Sequence, residues 1–184
     1  MMSFVHVSTA VEWLFVCLSL IFIHECGRYW MGRYVGIPAS RIRICMWAFP
    51  QHVALLGEEG WISPLSHRKF TEELRRHVPS RSKVVLFVGG GLVTGSLFIW
   101  VICPLLLFFH YPLWASKFFY LSVQIHIVYF ILETSVACLL RRSVGDFSAL
   151  WVISKKAYFW TLSIVLLCHG AIWFLLHPPK ILPS

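Results

Sequence analysis

Long apolar runs, separated by shorter polar segments, dominate the chain. Four runs, at residues 5–23, 84–109, 118–140 and 157–176, contain only two carboxylates, Glu12 and Glu133. A helix needs about 20 mainly apolar residues to cross a bilayer. The pattern therefore predicts an all-α membrane protein with about four transmembrane helices, the first of which continues to residue 31.

The largest polar segment lies between the first two spans, at residues 38–83. In SRIRICMWAF, arginines alternate with isoleucines, a period of two that is typical of a strand. PQHVALL, GEEG and WISPL then predict a second strand, a turn and a third short strand. SHRKFTEELRRHV predicts a short surface helix with Ser66 as N-cap and Pro79 beyond its end. We expect a small cytoplasmic β-hairpin and an amphipathic helix within one polytopic membrane domain, residues 1–184.

The distribution of basic residues predicts the orientation in the membrane. Of the 16 lysines and arginines, all but Lys117 and Lys180 lie at the carboxyl end of the first span, between the first two spans or between the last two. The positive-inside rule places these segments in the cytoplasm and both termini on the non-cytoplasmic side. We therefore expect a multi-pass integral membrane protein.

Composition agrees with a lipid environment. It disfavours a nucleic-acid-binding protein and a protein built on disulfides or thiolate metal sites. The chain is 58% hydrophobic and only 13% charged, whereas soluble domains average about 25% charged residues. The net charge of +8 predicts attraction to anionic lipid headgroups and no nucleic-acid partner, because the cations lie where membrane topology requires them. The six cysteines include no Cys-x-x-Cys pair, so we predict neither a disulfide framework nor a thiolate metal site.

Candidate chemistry lies at the cytoplasmic end of the first span. His24, Glu25 and Arg28 share one helix face, because positions four apart stack on a helix. The third span also runs towards the cytoplasm, and Asp146 follows its end, while Glu133 precedes that end by about two helical turns. Ionisable groups at such depths usually face a partner, a cavity or a site. We expect these residues to lie at similar depth.

FIHECGRYWMGRYVGI, residues 22–37, resembles the first motif of the site-2 protease family of intramembrane zinc metalloproteases, which contains His-Glu-x-Gly-His. The matching residues are His24, Glu25, Gly27, Gly36 and Ile37, whereas Arg28 replaces the second histidine. GGGLVTG, residues 89–95, is similar to the family's Ala-Gly-Pro-x-x-Asn stretch, with Gly90 matching and Gly91 and Thr94 replacing the proline and the asparagine. Asp146 is the candidate for the family's aspartate ligand, although Asn-x-x-Pro is missing before it.

The resemblance implies a zinc ion held by two histidines and an aspartate, with a glutamate as general base. In this chain His24 and Asp146 would be the metal ligands and Glu25 the base. Arg28 cannot bind a metal, because a guanidinium has no lone pair to donate, so an active enzyme would need a substitute ligand such as Glu133 or, less directly, His52. Arg28 would otherwise form an ion pair with Asp146, Glu25 or Glu133 in place of the metal.

Three functions are compatible with these residues. The first is a non-catalytic relative of site-2 proteases, without a cofactor, that binds a transmembrane helix or a partner protein. The second is an active intramembrane zinc endopeptidase with an altered ligand set. The third is a small channel or transporter in which Glu12, Glu133 and histidines relay ions.

The glycines at 91 and 95 form a G-x-x-x-G pair that predicts close helix packing.

Overall fold

The computed structural model describes residues 2–140, 143 and 145–178 and is mainly helical. Its α-helices are α1 (Met2–Val35), α2 (His67–His77), α3 (Arg81–Phe108), α4 (Pro112–Leu140), α5 (Asp146–Ile153) and α6 (Lys155–Leu176). A 3-10 turn (Ala39–Arg41) precedes three strands, β1 (Ile42–Cys45), β2 (His52–Gly57) and β3 (Gly60–Ile62).

Four helices are long and apolar enough to cross a membrane, in agreement with the sequence. The segments are Thr9–Val35, Arg81–Phe108, Pro112–Leu139 and Lys155–Leu176. The sidedness of the two termini stays a prediction. The predicted and observed bounds differ most at the start of the third span, which begins at Pro112 instead of residue 118.

The earlier start of α4 brings Lys117 inside a helix that the apolar pattern predicted to begin after it. Lys117 is buried there, because its Nζ forms an ion pair with Glu12 of α1. It also lies 5.1 Å from the ring centroid of Trp114, a distance at which a cation is attracted to the aromatic face. A paired cation can therefore occupy an otherwise apolar helix.

The polar segment folds into a three-stranded antiparallel sheet of order β1-β2-β3, one strand more than a simple hairpin. Leu55 pairs with Ile42 on one side and with Ile62 on the other. Helix α2 follows as predicted, but Ser66 makes no side-chain capping hydrogen bond. The sheet lies at the carboxyl end of α1, and we call this end of the bundle the sheet end.

Helix α1 ends at a left-handed glycine, Gly36, whose φ is +115°. The next residue, Ile37, donates its backbone N–H to the Gly32 carbonyl at 2.9 Å, as in a Schellman motif. Ile37 is fully buried and packs in one apolar core with Leu55, Phe70 and Phe87. The turn therefore fixes the sheet and α2 against the ends of the spanning helices.

Helix α3 lies at the centre of the bundle and contacts α1, α4, α5 and α6. Its approach to α1 is close because both helices present glycines. A Cβ on Gly27 would lie 2.5 Å from the Thr94 side chain, and a Cβ on Gly91 would lie 2.5 Å from Nε2 of His24. The prediction of tight packing is confirmed for Gly91 but is wrong for Gly95, which is buried but where an added Cβ would meet no neighbouring atom within 4 Å.

Candidate functional site

The structure brings His24, Glu25, Arg28 and Asp146 together, as the sequence predicted. His24 Nε2 donates a hydrogen bond to Asp146 Oδ2 at 3.0 Å. Arg28 Nη1 lies 3.6 Å from the other carboxylate oxygen, Oδ1. The three α1 residues lie on one helix face, and α5 supplies the aspartate at its first residue. Both oxygens of Asp146 are therefore next to a nitrogen of α1.

Glu25 is held more loosely than Asp146. Its Oε2 lies 3.9 Å from Arg28 Nη1, and its Oε1 lies 3.9 Å from His24 Nε2. The Glu25 side chain is only 5% exposed, and Oε2 has no hydrogen-bond partner in the described part of the chain. Buried carboxylate oxygens usually accept a hydrogen bond, so Glu25 has unused acceptor capacity next to the ion pair.

Asp146 is ionised at neutral pH. Burial by itself raises the pKa of this carboxyl, but the Arg28 guanidinium and the hydrogen bond from His24 outweigh burial and lower the pKa below its ordinary value. The Asp146 side chain is 8% exposed, so solvent screens these interactions little. The site therefore contains a stable carboxylate anion that α1 neutralises.

Glu133 lies behind this cluster and positions α5. Its Oε2 accepts hydrogen bonds from the backbone N–H groups of Phe147, at 2.7 Å, and Ser148, at 3.4 Å. These amides belong to the first turn of α5, whose N–H groups have no partner within the helix. A Cβ at position 145 would lie 2.2 Å from Glu133 Cδ, so Gly145 is needed for this approach. Glu133 thus fixes the first turn of α5, and with it the position of Asp146.

His52, the other residue considered as a substitute ligand, lies at the first position of β2. Its Nδ1 donates to the Pro50 carbonyl oxygen at 2.8 Å, a bond within the β1–β2 connection. The structure therefore places the imidazole on the sheet.

A small cavity adjoins the cluster. The residues of α4 that line its other side were not predicted from the sequence. The cavity measures about 30 Å³ and is lined by His24 and Glu25 together with Ser122, His126 and Tyr129 of α4. This volume is enough for about one water molecule. His126 Nδ1 donates to the Ser122 carbonyl oxygen at 2.8 Å, while Ser122 Oγ lies 3.0 Å from Nε2 of His169 on α6. The spacing of Ser122 and His126, four residues apart within an apolar span, was the available signal.

The residues present do not fit a catalytic zinc ion. Such a site needs three protein ligands and an open position for water, whereas this cluster offers His24 and Asp146. Arg28 fills the space near Asp146 with a fixed positive charge, which repels a divalent cation. Among residues 2–140, 143 and 145–178, no group of three or more His, Cys, Asp or Glu residues is arranged to hold a metal.

Comparison of the chain with protein-family models, with curated proteins and with solved structures finds no match in any of the three. The resemblance to site-2 proteases thus stays a prediction from the motifs.

Proposed function

We propose that this protein is a non-catalytic membrane protein that resembles site-2-type intramembrane metalloproteases and binds transmembrane partners. One observation carries the proposal. Arg28, at the position of the second histidine in the family motif, lies 3.6 Å from the carboxylate of Asp146, the candidate third ligand. The side chain that replaces a ligand is therefore paired with another ligand candidate.

The ion pair gives the cluster a source of stability that needs no metal. An unpaired carboxylate in a buried site is costly, and removing the partner of a buried charge typically costs about 3–5 kcal/mol. Arg28 supplies a cation from the chain itself, and its guanidinium also lies 5.5 Å from the centroid of the Phe87 ring. Since the donor set does not fit zinc, we propose no hydrolytic activity for this cluster.

The exposed apolar face of α4 is where we expect a transmembrane partner to bind. Ile127, Val128, Ile131 and Leu132 are each about half exposed and occupy one side of the helix. The opposite side of α4 contributes Ser122 and His126 to the cavity beside Glu25. In a bilayer, either lipid or another transmembrane helix would cover this apolar face.

Zinc analysis of the purified full-length protein tests the proposal. We expect the wild-type protein to contain no stoichiometric zinc, because Arg28 occupies the ligand position. The Arg28→His variant would offer two histidines one helical turn apart and Asp146, and we expect it to bind zinc. Near-stoichiometric zinc in the wild type that disappears in His24→Ala would overturn the proposal.

Cleavage of a reporter transmembrane substrate provides a second test. We expect the wild-type protein and Glu25→Gln to give the same background cleavage, because the donor set beside Glu25 does not fit the zinc ion that would activate a water. Crosslinking of the reporter to the wild-type protein measures binding separately. Cleavage by the wild type that Glu25→Gln abolishes would establish the endopeptidase instead.

A further inference from the structure

A second cleft lies at the sheet end of the molecule, away from the Arg28–Asp146 cluster. It measures about 600 Å³ and lies where α2 leads into α3 and where α5 leads into α6. Arg75 and Arg81 line it together with the apolar side chains of Val78, Val84, Val152 and Ile153. This size is within the range of about 300–1,000 Å³ that is typical of small-molecule sites. The lining contains no carboxylate.

Arg75 differs from the other cations of α2. Arg68 pairs with Glu72 at 3.0 Å, Lys69 with Glu59 at 2.6 Å, and Arg76 with Glu58 at 2.8 Å. Arg75 is exposed and makes no ion pair or hydrogen bond with the residues that the structure describes. The one α2 arginine without an acidic partner thus lines the cleft.

Arg81, the other arginine of the lining, is fixed by hydrogen bonds. Its Nε donates to the carbonyl oxygen of Ile153, the last residue of α5, at 2.6 Å, and its Nη2 contacts the same oxygen. These bonds hold the guanidinium against the α5–α6 junction and leave Nη1 for another acceptor. Two guanidinium groups over an apolar wall form an amphiphilic, positively charged site.

The surrounding residues indicate the membrane interface. Arg81 and Lys155 are the first residues of two helices that are long and apolar enough to cross a membrane. Trp151 and Trp160 lie within five residues of Lys155 in the chain, and both are exposed. Lys155 Nζ lies 5.0 Å from the centroid of the Trp151 ring. Tryptophan and basic residues are enriched at the headgroup level of bilayers.

We propose that this cleft binds an anionic phospholipid, with the headgroup phosphate between Arg75 and Arg81 and the upper part of an acyl chain against Val84 and Val152. Guanidinium groups match phosphate in charge and in hydrogen-bond geometry, and the valine side chains offer an apolar surface to an acyl chain. The inference depends on the four helices being membrane spans and is independent of the protease-like function.

Spin-labelled lipids in vesicles of phosphatidylcholine with a minor fraction of phosphatidylglycerol provide the test. The preference of the wild-type protein for phosphatidylglycerol over phosphatidylcholine is compared with that of Arg75→Gln. We expect the preference to fall about tenfold, the size of effect that one charge-assisted hydrogen bond to a phosphate provides. Arg75 makes no ion pair or hydrogen bond with the described residues, so the variant should fold normally.

Arg68→Gln is the matched control, since it removes the same charge from the same helix but from a residue paired with Glu72. We expect it to keep the wild-type preference. An equal fall in both variants would show diffuse electrostatic attraction and overturn the proposal. Displacement of the labelled phosphatidylglycerol by inorganic phosphate at equal concentration would assign the cleft to free phosphate, which also overturns it.

Discussion

At the scale of single residues, the chemistry of the cluster depends on Asp146. It accepts a hydrogen bond from His24 at 3.0 Å and lies 3.6 Å from the Arg28 guanidinium. The sequence predicted that these residues share a depth, because a helix face and the alternation of the spans determine it. It left open whether Arg28 pairs with Asp146, Glu25 or Glu133. The choice depends on where Glu133 holds α5, and no local pattern encodes that contact.

Acid should destabilise the protein through Asp146. The pKa of this carboxyl is lower in the folded protein than its ordinary value of 3.8, so the ionised form stabilises the fold above that value. The contribution is lost as pH falls below about 4 and through the folded-state pKa. We expect thermal unfolding in detergent to show a steep loss of stability in this range.

Asp146→Asn identifies the source of that loss. The variant removes the charge that neutralises Arg28, and we expect its free energy of unfolding at neutral pH to fall by about 3 kcal/mol. Its stability should then vary less between pH 5 and pH 3 than that of the wild type. Parallel acid profiles for the two proteins would contradict the assignment.

At the scale of elements, the packing of α1 on α3 positions His24. Because Gly91 has no side chain, the imidazole ring of His24 can pack directly against α3. A Cβ at position 91 would lie 2.5 Å from Nε2 of His24. The glycines were visible in the sequence, but the sequence did not show which of them contacts α1. Helix α5 was also missed, because eight residues between two spans are too few to show a periodic pattern.

Gly91→Ala should destabilise the bundle by about 1–3 kcal/mol, because the added methyl group overpacks the contact with His24. Gly95→Ala is the matched control on the same helix, one turn further along, where the residue lines the small cavity and an added Cβ would meet no atom within 4 Å. We expect it to leave stability unchanged or to raise it slightly, since alanine has the higher helix propensity. Unfolding in mixed detergent measures both variants, and equal effects would disprove the close contact.

At the scale of the whole molecule, an ion pair at the other end of the bundle joins α1 to α4. Lys117 is 8% exposed and pairs with Glu12, which is 37% exposed. Glu12→Gln leaves the lysine unpaired and should cost about 2 kcal/mol, less than a fully buried pair because water reaches Glu12. Glu12→Gln combined with Lys117→Met should recover most of that stability. A double variant less stable than the single one would show that the pair does not act as a unit.

Cysteine labelling tests the orientation of the whole chain. In a variant without the six native cysteines, Glu58→Cys marks the turn between β2 and β3, and Tyr111→Cys marks the exposed connection between α3 and α4. We expect an impermeant maleimide to label the Tyr111 position in intact cells and the Glu58 position only after permeabilisation, as the positive-inside rule requires. The reverse pattern would invert the predicted topology.

The sequence by itself determined the features that depend on local composition. The four long apolar helices and the strands of the polar segment follow from run length and periodicity, which each stretch of chain carries alone. Only the tertiary structure decided how the ionisable side chains pair, how α5 is placed by Glu133, and that Arg75 and Arg81 line one cleft. These contacts join residues far apart in the chain, and their energies depend on burial and on distances that no single segment specifies.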